Sequence, residues 1–144
     1  VFRTLQTPTP LLLVLHLSTH QNHLRPRVNL LAAASAAVPE QLKADIQFAY
    51  NNVRRFAEAQ RATVSDCTIE ILPGLTAGQK QIPVSATGCY VPGGRYSDVA
   101  SAIMTITTAK VAGVPHVAAC SPPRPGLGIP SAILYAMDLC GADV

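Results

Sequence analysis

Thr87-Gly88-Cys89-Tyr90-Val91-Pro92-Gly93-Gly94 is the stretch on which the fold turns. Its first five residues contain β-branched and aromatic side chains that favour extended backbone, and Pro92-Gly93-Gly94 ends the run. Downstream, Ile103, Ile106 and Ala109 space a helix over about Val99 to Ala112, with Gly113 placed to end it. Its Thr105, Thr107 and Thr108 are mediocre helix formers, so burial must hold it. Val117-Ala118-Ala119-Cys120 reads as a short buried strand stopped by Ser121-Pro122-Pro123. A loop with Gly126 and Gly128 then leads into a helix from about Pro130 to Leu139, and Val144 begins a further strand. Strands alternating with helices of this length predict crossover connections and a parallel sheet. The expected class is α/β: an incomplete Rossmann-like βαβα unit over residues 87–144.

Upstream, Leu42, Ile46, Ala49, Val53 and Phe56 recur at three- and four-residue steps, and Pro39-Glu40 is a helix-start signal. The spacing predicts a helix from about Pro39 to Gln60, with Arg54, Arg55 and Arg61 as a solvated C-terminal turn. Thr68 to Leu72 alternates and ends at Pro73-Gly74, and a second β-like run covers Gln79 to Val84, which predicts a hairpin. Helix and hairpin form an arm over 39–86. Residues 1–38 carry Arg3, Arg25 and Arg27 and no acid, an apolar block Leu11–Leu17 and an Ala-rich patch. They read as an extension that either resembles an organellar transit peptide or is not native coding sequence.

Composition excludes several classes. Apolar residues make up 49% and charged residues 13%, too apolar for wholesale disorder. The longest apolar block is far short of the ~18 residues that cross a bilayer. The net charge of +3 lies wholly in residues 1–38, because the remaining basic and acidic residues cancel, so a nucleic-acid-binding core is disfavoured. Cys67, Cys89, Cys120 and Cys140 form no C-x-x-C pair. The expectation is free thiols in a reducing compartment, with Cys89, Cys120 and Cys140 buried as small hydrophobes.

In open parallel sheets ligands bind beyond the carboxyl ends of the strands, here Tyr90–Arg95 and Cys120–Arg124. A Gly-Gly turn lets backbone approach a ligand closely, and helix N–H groups favour an anionic group. On local chemistry alone, Pro-Gly-Gly is equally a plain structural turn, and an isolated Tyr is more often a buried tyrosine with a satisfied hydroxyl.

The runs Gly88 to Arg95, Thr108 to Val114 and Cys120-Ser121-Pro122-Pro123, together with Gly78 to Val84 and Val53 to Ala57, resemble the histidinol dehydrogenase family, in order, over about residues 33–144. The resemblance implies an NAD-dependent zinc enzyme of histidine biosynthesis. Such enzymes oxidise an amino alcohol through the aldehyde to the acid in two hydride transfers and work as homodimers. It implies that Tyr90 contacts the dinucleotide, that Gly93 and Gly94 shape the same pocket, and that Ser121 lines it. The family's zinc ligands and Glu–His acid–base pair have no counterpart in this sequence, so no catalytic or metal residue is assigned here. His116, at the start of its strand, reads as a surface residue. The resemblance therefore implies a cofactor-side fragment, inactive by itself and poorly stable, from a cytoplasmic or organelle-targeted enzyme. Histidinol is the first substrate reading. Arg95 to Ala102 is more similar to a divergent branch whose members oxidise other polar alcohols such as sulfonated diols. A non-catalytic binding or assembly module is the reading from another class.

Overall fold

The structure is a computed structural model that describes residues 24–93 and 96–144. Expectations for residues 1–23, Gly94 and Arg95 lie outside the described residues. The elements run α1 (Leu24–Ala37), α2 (Glu40–Ala62), β1 (Cys67–Leu72), β2 (Leu75–Gln79), β3 (Ala86–Tyr90), α3 (Val99–Val111), β4 (His116–Cys120) and α4 (Ser131–Leu139). This is an α/β fold with two small sheets, an antiparallel β1–β2 hairpin and a parallel β3–β4 pair.

The parallel pair forms because α3 carries the chain from the end of β3 back to the start of β4, leaving both strands pointing the same way. Their register sets Ala86 opposite His116 and Tyr90 opposite Cys120. Cys89 and Val117 turn inward and join Ile103 and Ile106 of α3 with Ile133, Ala136 and Met137 of α4 in one apolar core. Ile106, Ile133, Val91 and Val117 are its largest fully buried side chains. Burying side chains of this size contributes roughly 1.5–3 kcal/mol each, which offsets the poor propensity of the Thr-rich α3. Thr105 and Thr108 return their hydroxyls to the carbonyls of Ser101 and Met104, at 2.6 Å each. Asp98 caps the helix: its carboxylate accepts from the Ser101 N–H at 3.1 Å and the Ser101 hydroxyl at 2.7 Å. Gly113 follows with φ 89, a left-handed conformation that residues with a Cβ rarely adopt.

α2 lies across α3, with Ile46 in the core and Ala49 and Val53 packed against it. Phe56, expected on the buried face, is instead exposed, and Ala57 is buried. The 23-residue α2 outruns the 13-residue α3, so the apolar stripe continues past the helix that covers it.

The hairpin differs from its expected form. Leu72 pairs directly with Leu75, so Pro73-Gly74 is the whole loop and the second strand is Leu75–Gln79, not Gln79–Val84. A two-residue loop obliges the chain to pair at once. The Gln79–Val84 run lies outside the strand, and Gln81 N–H is held by the Asp66 carboxylate at 2.8 Å. Within the segment expected as an extension, α1 packs on α4, and Ala34 and Val38 are buried. Cys89 and Cys140 are buried as expected. Cys120 is exposed, because it closes β4 opposite the exposed Tyr90, on the side of the pair away from the core. All four cysteines are free thiols. Among the described residues no helix is long and apolar enough to cross a membrane.

After α4 the chain returns alongside β4. Asp143 N–H donates to Val117 O at 2.8 Å, and Val144 O accepts from Ala119 N–H at 2.6 Å. Val144, expected to begin a strand, is hydrogen-bonded to β4 without a third strand being formed among the described residues. The Asp143 carboxylate anchors the return by accepting from Lys110 Nζ at 2.6 Å and from Val117 N–H at 2.7 Å, with His116 Nδ1 at 3.9 Å. The Lys110 hydrogen bond first, then the Val117 N–H, hold the Asp143 carboxyl below its ordinary value. A depressed folded-state pKa stabilises the fold above the unfolded-state value, near 4, and that contribution disappears as pH falls through the folded-state value. The carboxylate is partly exposed, so the contribution is about 1 kcal/mol or less. Denaturant titrations between pH 6 and 2.5 are expected to show a steeper acid loss of stability in the native sequence than in Asp143→Asn.

Candidate functional site

β3 and β4 end level. Past the Tyr90–Cys120 pair, Val91 N–H still donates to Cys120 O at 2.8 Å, so the two turns leave the sheet side by side. This brings three of the four residues singled out from the sequence to one end of the sheet. Tyr90 is 60% exposed, Gly93 is buried, and Ser121 is 9% exposed. Gly94 lies outside the described residues.

Gly93 and Ser121 are in direct apposition. A Cβ on Gly93 would collide with Ser121 Oγ, would stand 3.1 Å from Pro122 O, and would touch Ile133 Cδ1 at 3.6 Å. Only a glycine admits the turn this close to the β4 loop and the first turn of α4. Among the described residues the Ser121 hydroxyl is buried without a hydrogen-bond partner, as is that of Thr107 within α3. A buried unsatisfied hydroxyl costs about 1–3 kcal/mol, an arrangement that a packed core ordinarily avoids. The neighbouring N-terminus of α4 opens at Pro130, which contributes no side-chain cap. An orphaned hydroxyl, a cradle that a Cβ would fill and an uncapped helix N-terminus suit the polar, anionic part of a dinucleotide. Tyr90 adds an aromatic face at the same end.

Arg124, read from the sequence only as the end of the Cys120–Arg124 segment, has a side-chain role that sequence reasoning missed. Its Nε–H donates to Gly93 O at 3.2 Å and its terminal nitrogen to Ser97 Oγ at 3.2 Å, joining the two turns across 31 and 27 residues of sequence. Its own backbone is set by the Arg124–Gly128 bridge, with Arg124 N–H to Gly128 O at 2.8 Å and Gly128 N–H to Arg124 O at 3.0 Å. The Arg-Pro-Gly-Leu-Gly sequence signals a tight loop but says nothing of where the guanidinium reaches. His116 sits at the opposite, amino end of β4, partly exposed, as read from the sequence. Among the described residues no three His, Cys, Asp or Glu side chains come together to hold a metal ion. The residues present therefore do not fit a zinc centre, and no chemical step is derived through one.

The model of the family described as histidinol dehydrogenase matches residues 15–144. The chain belongs to the histidinol dehydrogenase family. The match begins upstream of the region in which the resemblance was read, and covers the α1 helix. The chain is 66% identical over 113 residues to the sulfopropanediol 3-dehydrogenase of Ruegeria pomeroyi, covering 78% of this chain and 26% of that protein. It is 40% identical over 111 residues to the histidinol dehydrogenase of Methanosarcina barkeri, covering 77% of this chain and 25% of that protein. The crystal structure of histidinol dehydrogenase from Elizabethkingia anophelis superposes with a TM-score of 0.70 at 29% identity, over 79% of this chain and 26% of that one. The chain thus spans about a quarter of the length of the curated relatives it matches.

The apposition of Gly93 and Ser121 makes their substitutions interdependent. Gly93→Ala is expected to destabilise the fold by about 1–3 kcal/mol through overpacking. Adding Ser121→Ala removes the colliding hydroxyl, leaves the Pro122 carbonyl contact, and should recover part of the loss. Chemical denaturation of both single variants and the double variant measures the coupling, expected at about 0.5–3 kcal/mol.

Proposed function

We propose that this chain is the coenzyme-side part of an NAD-dependent alcohol dehydrogenase, with the dinucleotide seated beyond the carboxyl ends of β3 and β4. Tyr90 offers its ring and hydroxyl to the nucleotide, Gly93 and Gly94 let the backbone approach, and the Ser121 hydroxyl is held in reserve for the ligand. The observation that carries the reading is that hydroxyl: buried against Gly93 and without a partner, it gains one when a polar ligand group opens the turn. NAD accepts the hydride. The zinc that polarises the alcohol and the acid–base pair belong to parts of the enzyme outside the described residues, which supply only binding and orientation. Residues 1–144 alone are accordingly inactive. The complete enzyme is a homodimer in this reading. It is placed in the cytoplasm, with organelle targeting by residues 1–38 as the alternative.

Two substrates follow from the relatives. Identity to the sulfopropanediol 3-dehydrogenase is 66%, against 40% to a histidinol dehydrogenase. That difference favours a sulfonated propanediol over L-histidinol, which remains the second reading on the strength of the family.

The test is NADH formation by the protein as its gene encodes it, with each alcohol supplied separately. The expected result is turnover with the sulfonated diol at a kcat/KM at least tenfold above that with histidinol; the reverse order reinstates histidinol. Tyr90→Ala should raise the KM for NAD about tenfold, for the loss of one aromatic contact of ~1–1.5 kcal/mol. Ser121→Ala should weaken NAD binding without lowering the melting temperature, because the hydroxyl satisfies nothing in the ligand-free fold. Unchanged coenzyme affinity in both variants would remove the dinucleotide from this end of the sheet.

A further inference from the structure

We propose that Arg124 is a positioning residue: its guanidinium clamps the glycine turn after β3 to the loop after β4, and so holds the coenzyme end of the sheet in its receptive shape. The proposal rests on the dinucleotide reading above and goes beyond it, because Arg124 lies outside the motif that carries the family resemblance.

Three observations support the clamp. Among the described residues of the turn after β3, no ladder hydrogen bond continues beyond Val91, and Gly93 contributes no side chain to the packing. Arg124 meets this segment at two separated points, the carbonyl of Gly93 and the hydroxyl of Ser97, so the fork spans the turn rather than touching one end of it. Its Cα is itself fixed, since Arg124 supplies both N–H and C=O to the closed Arg124–Gly128 loop. A planar guanidinium with donors in a fixed fork suits this bridging; a lysine ammonium, a point charge on a flexible stem, does not reproduce it. Ser97 also lies immediately before Asp98, the cap of α3. The clamp therefore links the glycine turn, the segment that caps α3 and the β4 loop.

A clamp acts through the shape of the apo site, so loosening it should lower affinity for the coenzyme more than it lowers global stability. The experiment uses the protein as its gene encodes it, with Arg124→Gln, Arg124→Lys and Ser97→Ala. Amide hydrogen exchange of Val91, Gly93, Tyr96 and Ser97 reads the clamp without coenzyme, and titration with NAD, alongside the KM for NAD and kcat, reads its consequence. Expected for Arg124→Gln are exchange at least tenfold faster in that segment with β4 amides unchanged, an NAD Kd raised about tenfold, and kcat at saturating NAD within twofold of native. Arg124→Lys should fall near Arg124→Gln, and Ser97→Ala should move both readouts in the same direction by a smaller factor.

Unchanged exchange in Arg124→Gln overturns the clamp. Faster local exchange with unchanged NAD affinity leaves the clamp standing but overturns its role at the coenzyme site. A native protein that binds no NAD sinks the dinucleotide reading itself, a result distinct from either. If Arg124→Gln fails to fold, the same readouts on Arg124→Lys and Ser97→Ala decide, and native-like exchange and affinity in both refute the proposal. An effect on kcat rather than on KM for NAD would place Arg124 at the reacting atoms and refute positioning as its role.

Discussion

Parallel pairing of β3 with β4 in a register that ends both strands at the same level governs the rest of the molecule. Tyr90 opposite Cys120, with one further hydrogen bond from Val91 N–H to Cys120 O, delivers two turns to the same point in space. A one-residue slip of either strand would carry its own core residue, Cys89 on β3 or Val117 on β4, to the open face, which the apolar cluster around Ile106 and Ile133 forbids. The same slip would pull Ser121 from beneath Gly93 and take Arg124 out of reach of the turn. Core packing therefore sets the geometry of the candidate ligand end, and the core side chain of Ile133 reaches up to Gly93 there.

That geometry carries an internal conflict. A hydroxyl buried without a partner lowers stability, and the fold retains it at the one place where a glycine turn, a proline-opened helix and an exposed tyrosine meet. Other polar groups are paired: Asp98 satisfies both the N–H and the hydroxyl of Ser101, and Asp143 serves a lysine and a backbone N–H at once, although the Thr107 hydroxyl inside α3 is also buried without a partner among the described residues. Local departure from a rule that the surroundings obey is the usual mark of a functional position rather than of careless packing.

Legibility in the sequence followed the range of the interactions involved. β3, α3, β4 and α4 were read to within a residue or so, because strand composition, 3.6-residue spacing and glycine stops are local signals that the tertiary structure here reinforces. The hairpin register was misread, since the Pro73-Gly74 signal does not say whether the loop is two residues or longer; pairing across Leu72 and Leu75 decides that. Exposure of Phe56 and Cys120 was not legible either, because each depends on where a partner element stops. α1 was missed for the same reason: an Ala-rich segment has no strong face of its own, and its packing on α4 is a contact between the two ends of the chain. At the candidate site, Tyr90, Gly93 and Ser121 were named through the motif, whereas Arg124 bonds to Gly93 across 31 residues that no pattern connects.

The hairpin shows what the described residues leave unpartnered. Every residue of β1 and β2 is exposed, including Ile69, Ile71, Leu72 and Leu75. A two-stranded hairpin is at best marginally stable in water, and one that presents several large aliphatic side chains to solvent is a poor monomeric surface. The same holds for Ile82 and Val84, which lead into β3, and for Phe48 and Phe56 on the outer side of α2. Val84 lines one hollow with Thr87, Gly88 and Tyr90, so cover there would border the carboxyl end of β3. The core beneath the candidate site is closed by α3 and α4, with the inner face of α2 laid over α3. Cover for the hairpin and for α2 can therefore change stability a great deal without altering the register of β3 and β4, on which the site depends.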